Sequence, residues 1–129
     1  MQIRYVVIKV DDQEKALAFY TQVLGFEKRQ DAPGPIRWLT VGAPEGADGV
    51  ELVLEPNSMP PARASQKALY DAGFPATIFT TTDVEAEYAR LRKLGVEFRS
   101  EPKHMGPVSF AFFDDTCGNL IVLNQRMDA

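Results

Sequence analysis

From Ile3 to Val10 the chain alternates and is rich in β-branched residues, the period-two signature of a strand. Ile3, Tyr5, Val7 and Lys9 fall on one face, and Val6, Ile8 and Val10 on the other. The second set is wholly aliphatic and suits a face packed on a helix. The first mixes an aromatic and a charge, as the lining of a cavity would. The period then changes to that of a helix, with Ala16, Phe19, Tyr20, Val23 and Leu24 in one apolar stripe. Asp11 with Glu14 three residues on has the spacing of a capping box, and Gly25 supplies a left-handed end. Three strand-like segments follow: Phe26 to Arg29, Ile36 to Val41 and Val50 to Glu55. The turn DAPGP and the polar loop GAPEGADG separate them. In the last strand Glu51, Val53 and Glu55 share one face, and Val50, Leu52 and Leu54 the other.

Pro56 to Pro61 breaks this pattern, and alanine-rich Arg63 to Ala72 reads as a connecting helix stopped by Gly73. The order then recurs. Thr77 to Thr81 is a strand, Thr82 and Glu85 repeat the capping box, and Val84, Tyr88, Leu91 and Leu94 give a helical stripe ended by Gly95. Val96 to Arg99, Val108 to Phe113 and Leu120 to Asn124 complete a second set of strands, with the turn DDTCG before the last. The order β-α-β-β-β thus occurs twice. It predicts an α+β fold in one domain over 1–129, with a first module at about 1–56, a connecting helix at about 60–73 and a second module at about 75–125.

Composition narrows the function. The chain has 129 residues, enough for one sizeable core, and is 45% hydrophobic. Its net charge of −4, with no basic run, gives no electrostatic footprint for nucleic acid. No apolar run approaches the ~20 residues of a membrane span, and the alternating N-terminus offers no signal-peptide core. The single cysteine, Cys117, rules out an internal disulfide and suits a reducing, cytoplasmic setting.

The run VDDQEKALAFYTQVLGFE, the segment GVELVLEP and the closing DDTCGNLIVL together resemble the vicinal oxygen chelate superfamily. That group includes glyoxalase I, extradiol dioxygenases, fosfomycin-resistance enzymes and bleomycin-resistance proteins. The resemblance implies tandem βαβββ modules with curved mixed sheets around a shared cavity, and a homodimer. It also implies a divalent metal with four ligands, from the first and fourth strands of each module. Those positions fall on Tyr5, Glu51, Thr77 and Val122. Only Glu51 is a usual ligand; a phenol, a threonine hydroxyl and a valine are not. The expectation is therefore a chain without cofactor, with three of the four positions lost.

Strand alternation and the family geometry together give an expected pocket lining of Tyr5, Val7, Lys9, Trp38, Glu51, Val53, Thr77, Phe79, Leu120, Val122 and Asn124. Glu51 is the candidate catalytic residue. Either it is a strand carboxylate at an edge or paired with Lys9 or Arg37, or it is enclosed, with a raised pKa, and works as a general base. Tyr5 would then donate to a substrate oxygen. Trp38 and Phe79 either stack on a planar ligand or pack in the core. His104 is expected in a loop, and Cys117 has no base near it in sequence. Two functions follow. One is a glyoxalase/bleomycin-resistance-like protein that binds a small hydrophobic or aromatic molecule without metal. The alternative is a lyase, isomerase or dioxygenase that uses Glu51 as base or metal ligand.

Overall fold

The computed structural model describes residues 1–45 and 49–126, so part of the GAPEGADG loop lies outside the described residues. The elements run in the order β1 (Tyr5–Val10), α1 (Gln13–Ala18), a π-helical turn (Phe19–Val23), β2 (Glu27–Ala32), β3 (Trp38–Gly42) and β4 (Glu51–Pro56). Then come α2 (Pro60–Asp71), β5 (Thr77–Thr80), α3 (Val84–Lys93), β6 (Lys103–Met105), β7 (Val108–Asp114) and β8 (Leu120–Arg126). They form two curved four-stranded mixed sheets, ordered β1-β4-β3-β2 and β5-β8-β7-β6. In each, the first strand pairs parallel with the last and the remaining pairs are antiparallel. The repeat expected from the sequence is therefore a repeat of topology.

Each sheet has one face turned to the helices. Ile8, Val10, Leu39, Val41, Leu52 and Leu54 supply it in the first sheet, and Phe113, Ile121 and Leu123 in the second. Ala16, Phe19 and Tyr20 from the first helical segment and Val84 and Leu91 from α3 join them in one apolar cluster. Phe19 meets Phe113 of the second sheet with ring centroids 6.4 Å apart, so the modules pack through their helical sides. The other face of each sheet carries none of this packing and is called the open face below.

Several local expectations change. The cap of α1 is Asp12, whose carboxylate accepts from Lys15 N–H at 2.9 Å; Asp11 pairs instead with the Lys15 ammonium. The cap of α3 is Asp83, accepting from Ala86 N–H at 3.0 Å, not Thr82. In both cases the residue next to the expected one has the extended backbone that a cap needs. Segment 96–99 is not a strand; Phe98 makes one isolated bridge to Phe113. The third pairing of the second sheet, antiparallel to β7, is made by Lys103–Met105, expected as a loop. Its three residues are too few to show a period. The connecting helix starts at Pro60, where proline's fixed φ suits the first turn.

Candidate functional site

Two polar clusters stand out, one at the junction of the modules and one on the open face of the first sheet. The junction is built from the residues that carry the family resemblance. Asp115 is fully buried. Its Oδ2 accepts from the Tyr20 hydroxyl at 2.7 Å and from Asn119 Nδ2 at 2.8 Å. Its Oδ1 accepts from the N–H groups of Cys117 at 2.7 Å and Asn119 at 3.0 Å. Asn119 Nδ2 also donates to the Lys9 carbonyl at 2.8 Å, tying the turn back to β1. Burial pushes the Asp115 carboxyl above its ordinary range against the pull of these donors, and burial first, then Asp115, pushes the Tyr20 phenol up. Gly118 lets Gln66 of α2 come close: a Cβ there would lie 2.8 Å from Gln66 Nε2, at a φ of +102°. The Asp115 carboxylate has its donors matched within this cluster, and only the cluster's edge, at Gly118 and Asn119, borders a cavity, so the chemistry of the buried carboxylate is that of a strut.

On the open face of the first sheet, β1 and β4 place Tyr5 beside Glu51, Val7 beside Val53 and Lys9 beside Glu55. β3 adds Trp38 and Thr40, and β2 adds Gln30. Glu51 Oε1 accepts from Thr40 Oγ1 at 2.5 Å and from Gln30 Nε2 at 2.9 Å. Gln30 Nε2 also donates to the Tyr5 hydroxyl at 3.2 Å, and its Oε1 accepts from the Trp38 indole N–H at 3.1 Å. Tyr5 and Trp38 meet edge to face, with centroids 5.2 Å apart and an interplanar angle of 80°. Both residues remain open to solvent, Tyr5 at 41% and Trp38 at 37% exposure, while Thr40 and Val53 on the same face are buried.

This geometry corrects the expected role of Glu51. The hydrogen bonds from Thr40 and then Gln30 hold its carboxyl below the usual glutamate range, the opposite of a raised pKa. An ionised carboxylate stabilised in this way is a weak base. Its expected pairing with Lys9 or Arg37 is also replaced: Lys9 pairs with Glu55, and Arg37 with Asp31 and Glu14. The Arg37 guanidinium holds the Asp31 carboxyl down to about 2. Tyr5 is lowered by its bond to Gln30 and then by Arg4, whose guanidinium lies 5.9 Å from the ring centroid.

The second sheet divides the remaining residues. Thr77 pairs with Ile121 and Phe79 with Leu123, whereas Ile78 pairs with Val122 and Thr80 with Asn124. Val122 and Asn124 therefore share the open face with Ile78, while Thr77 and Phe79 lie on the helix-facing side. Phe79 packs there against Phe26 at 5.1 Å and Tyr20 at 6.2 Å, in a crevice of about 860 Å³. The expected place of Thr77 and Phe79 in the lining is thus displaced by one residue. Leu120 is buried and, with Val7 and Lys9, lines a separate cavity of about 290 Å³ beneath α2. Asn124 Oδ1 is buried with no hydrogen-bond partner among the described residues.

A family-type metal does not fit this donor set. Tyr5 and Glu51 are register partners on one face, but the matching pair in the second sheet is Ile78 and Val122, which offers no donor. Glu51 is already engaged by two hydrogen bonds, and the described residues hold no group of three or more His, Cys, Asp or Glu side chains that could bind a metal ion. His104 lies on β6, with Nδ1 2.6 Å from Ser109 Oγ and Nε2 3.6 Å from Glu85 Oε1. Cys117 is buried and its thiol is pushed up to about 12 by burial first, which leaves no thiolate for nucleophilic work.

Sequence reasoning missed Gln30, the residue that ties Tyr5, Trp38 and Glu51 together. Its strand, EKRQDA, has no apolar alternation from which a face can be read.

Comparison with known proteins agrees with the fold. The chain is 50% identical over 127 residues to the uncharacterized protein YurT of Bacillus subtilis (strain 168), covering 98% of this chain and 100% of that protein. Among solved structures, UcmS2 matches with a TM-score of 0.83 and 35% identity over 96% of this chain and 97% of its own. TnmS3, an antibiotic binding protein from Streptomyces sp. CB03234, matches with a TM-score of 0.77 and 35% identity, covering 98% of this chain and 96% of its own. The family model for the Glyoxalase/Bleomycin resistance protein/Dioxygenase superfamily matches residues 2–123, and the chain belongs to that superfamily.

Proposed function

We propose that this protein binds a small molecule with a flat aromatic or hydrophobic part, without a divalent metal, on the open face of the first sheet. The observation that carries this reading is the Tyr5–Trp38 pair, exposed to solvent and fixed by Gln30 to an ionised Glu51. Aromatic faces give contact area at low conformational cost, and the fixed polar groups orient what lies on them. The 35% identity to TnmS3, an antibiotic binding protein, supports a small molecule as the ligand.

A second copy of the chain would cover the open face of the second sheet, where Ile78 at 60% exposure is an apolar residue that a homodimer would bury. The net charge of −4 argues against nucleic acid as partner. Among the described residues no helix is long and apolar enough to cross a membrane. The lone buried Cys117 fits our placement of the protein in the cytoplasm.

Metal analysis tests the reading. Protein purified without chelator, then incubated with nickel, zinc, iron or manganese and desalted, should retain no stoichiometric metal. One tightly held equivalent per protomer would contradict it and return Glu51 to the role of ligand in an enzyme.

A further inference from the structure

The cavity beneath α2 belongs to the same face as the aromatic pair. Tyr5, Val7 and Lys9 point the same way along β1, and Val7 and Lys9 form one wall of that cavity. At about 3.3 Å per residue, four residues of strand separate its far end from Tyr5 by roughly 13 Å. Its other walls come from α2 and the start of β8, including Ala62, Leu69, Phe74 and Leu120. The volume is about 290 Å³.

Helix α2 is unusual in the fold because none of its residues is buried. Leu69 is 48% exposed, and Phe74 just beyond the helix is 62% exposed. Polar groups hold the helix in place instead. Gln66 Nε2 donates to the Lys9 carbonyl at 2.9 Å and to Asn119 Oδ1 at 3.1 Å, Gln66 Oε1 accepts from Asn57 Nδ2 at 2.6 Å, and the Tyr70 hydroxyl donates to Asp114. A helix pinned by hydrogen bonds, with apolar side chains around a cavity they do not fill, has the form of a roof over an apolar guest.

We propose that this cavity is the tail-binding half of the ligand site. The ligand is then an elongated molecule, with an aromatic head at Tyr5 and Trp38, a body crossing Val7, and an apolar tail under α2. This rests on the aromatic reading of the open face and adds the length and polarity of the ligand to it. Residues of α2 become determinants of tail length.

Trp38 is the single tryptophan, so its fluorescence reports ligand at the head position. The test titrates the intact protein with n-alkyl 4-hydroxybenzoates, from the methyl to the heptyl ester, following that signal. Each methylene buried is worth ~0.8 kcal/mol, about fourfold in affinity, so affinity should climb steeply along the series until the cavity is full. Ala62→Phe, which fills the cavity from α2, should flatten the climb. Ser65→Leu, at another lining position, serves if that variant fails to fold, and Ala89→Phe on the exposed side of α3 should keep the full slope. The same slope in the wild type and in both filled variants would overturn the tail site. Saturable binding of the methyl ester with a flat series in the wild type would also overturn it, while leaving the aromatic reading intact. No quenching by any ester would remove both.

Discussion

The junction of the two modules and the open face of the first sheet each centre on a carboxylate held by a tyrosine-containing network, yet they differ in one respect. Around Asp115 the bonding is directed inward, and the Tyr20 ring above it is wholly buried. Around Glu51 the hydrogen bonds fix the side chains, but the Tyr5 and Trp38 rings they fix still look outward. A polar network that encloses itself specifies a fold; one that presents organised aromatic surface to solvent is ready for a ligand. Two of the three runs that carry the superfamily resemblance meet in the first network, through Tyr20, Asp115 and Asn119. That is why the resemblance identifies the family so well and says so little about the activity.

This contrast is open to direct attack, most strongly at the junction. Asp115→Ala should destabilise the protein by about 3 kcal/mol or more, because it strands the Tyr20 hydroxyl and two backbone N–H groups without an acceptor and leaves Asn119 Nδ2 only the Lys9 carbonyl. Urea unfolding measures this; a loss under about 1 kcal/mol would deny the junction its structural role. Tyr20→Phe removes one donor from a buried carboxylate and should cost about 2 kcal/mol by the same assay.

On the open face the effect shifts from stability to binding. Trp38→Ala should weaken any aromatic ligand by about threefold to tenfold, the worth of one aromatic contact, and unfold at nearly the same urea concentration as the wild type. Isothermal titration calorimetry reads the first and urea unfolding the second. Equal affinity in the variant would place the ligand elsewhere.

The smallest effect is in titration, where the two carboxylates should move in opposite directions. Burial raises the folded-state pKa of Asp115, so its contribution to stability is greatest in acid and declines as the pH rises through that raised value. Hydrogen bonds lower that of Glu51, so its contribution is present at neutral pH and disappears as the pH falls through the lowered value. Carboxyl carbon NMR shifts across the acid range should show Asp115 titrating above an ordinary aspartate and Glu51 below an ordinary glutamate. Matching curves for the two would contradict the contrast.

Much of the fold was legible because its signals are local. Gly25 and Gly95 end helices at positive φ, and Asp12 and Asp83 cap them one position after the expected residues. The site was legible only where alternation was clean, in β1 and β4. In TIFT of β5 both faces carry one apolar residue and one threonine, so the pattern leaves the facing open. The pairing of Phe79 with Leu123 decides it, and that partner lies far along the chain. The state of Glu51 was hidden for the same reason. Thr40 and Gln30, which hold it ionised, are neighbours only after three strands have paired.

The central claim is that Tyr5 and Trp38 bind an aromatic molecule with no metal present. Titration of Trp38 fluorescence with methyl 4-hydroxybenzoate, in the presence of EDTA, tests it most directly. The account predicts saturable quenching that EDTA leaves unchanged and that Tyr5→Ala weakens. Quenching that appears only when a divalent metal replaces the EDTA, or no saturable signal in either condition, would contradict it.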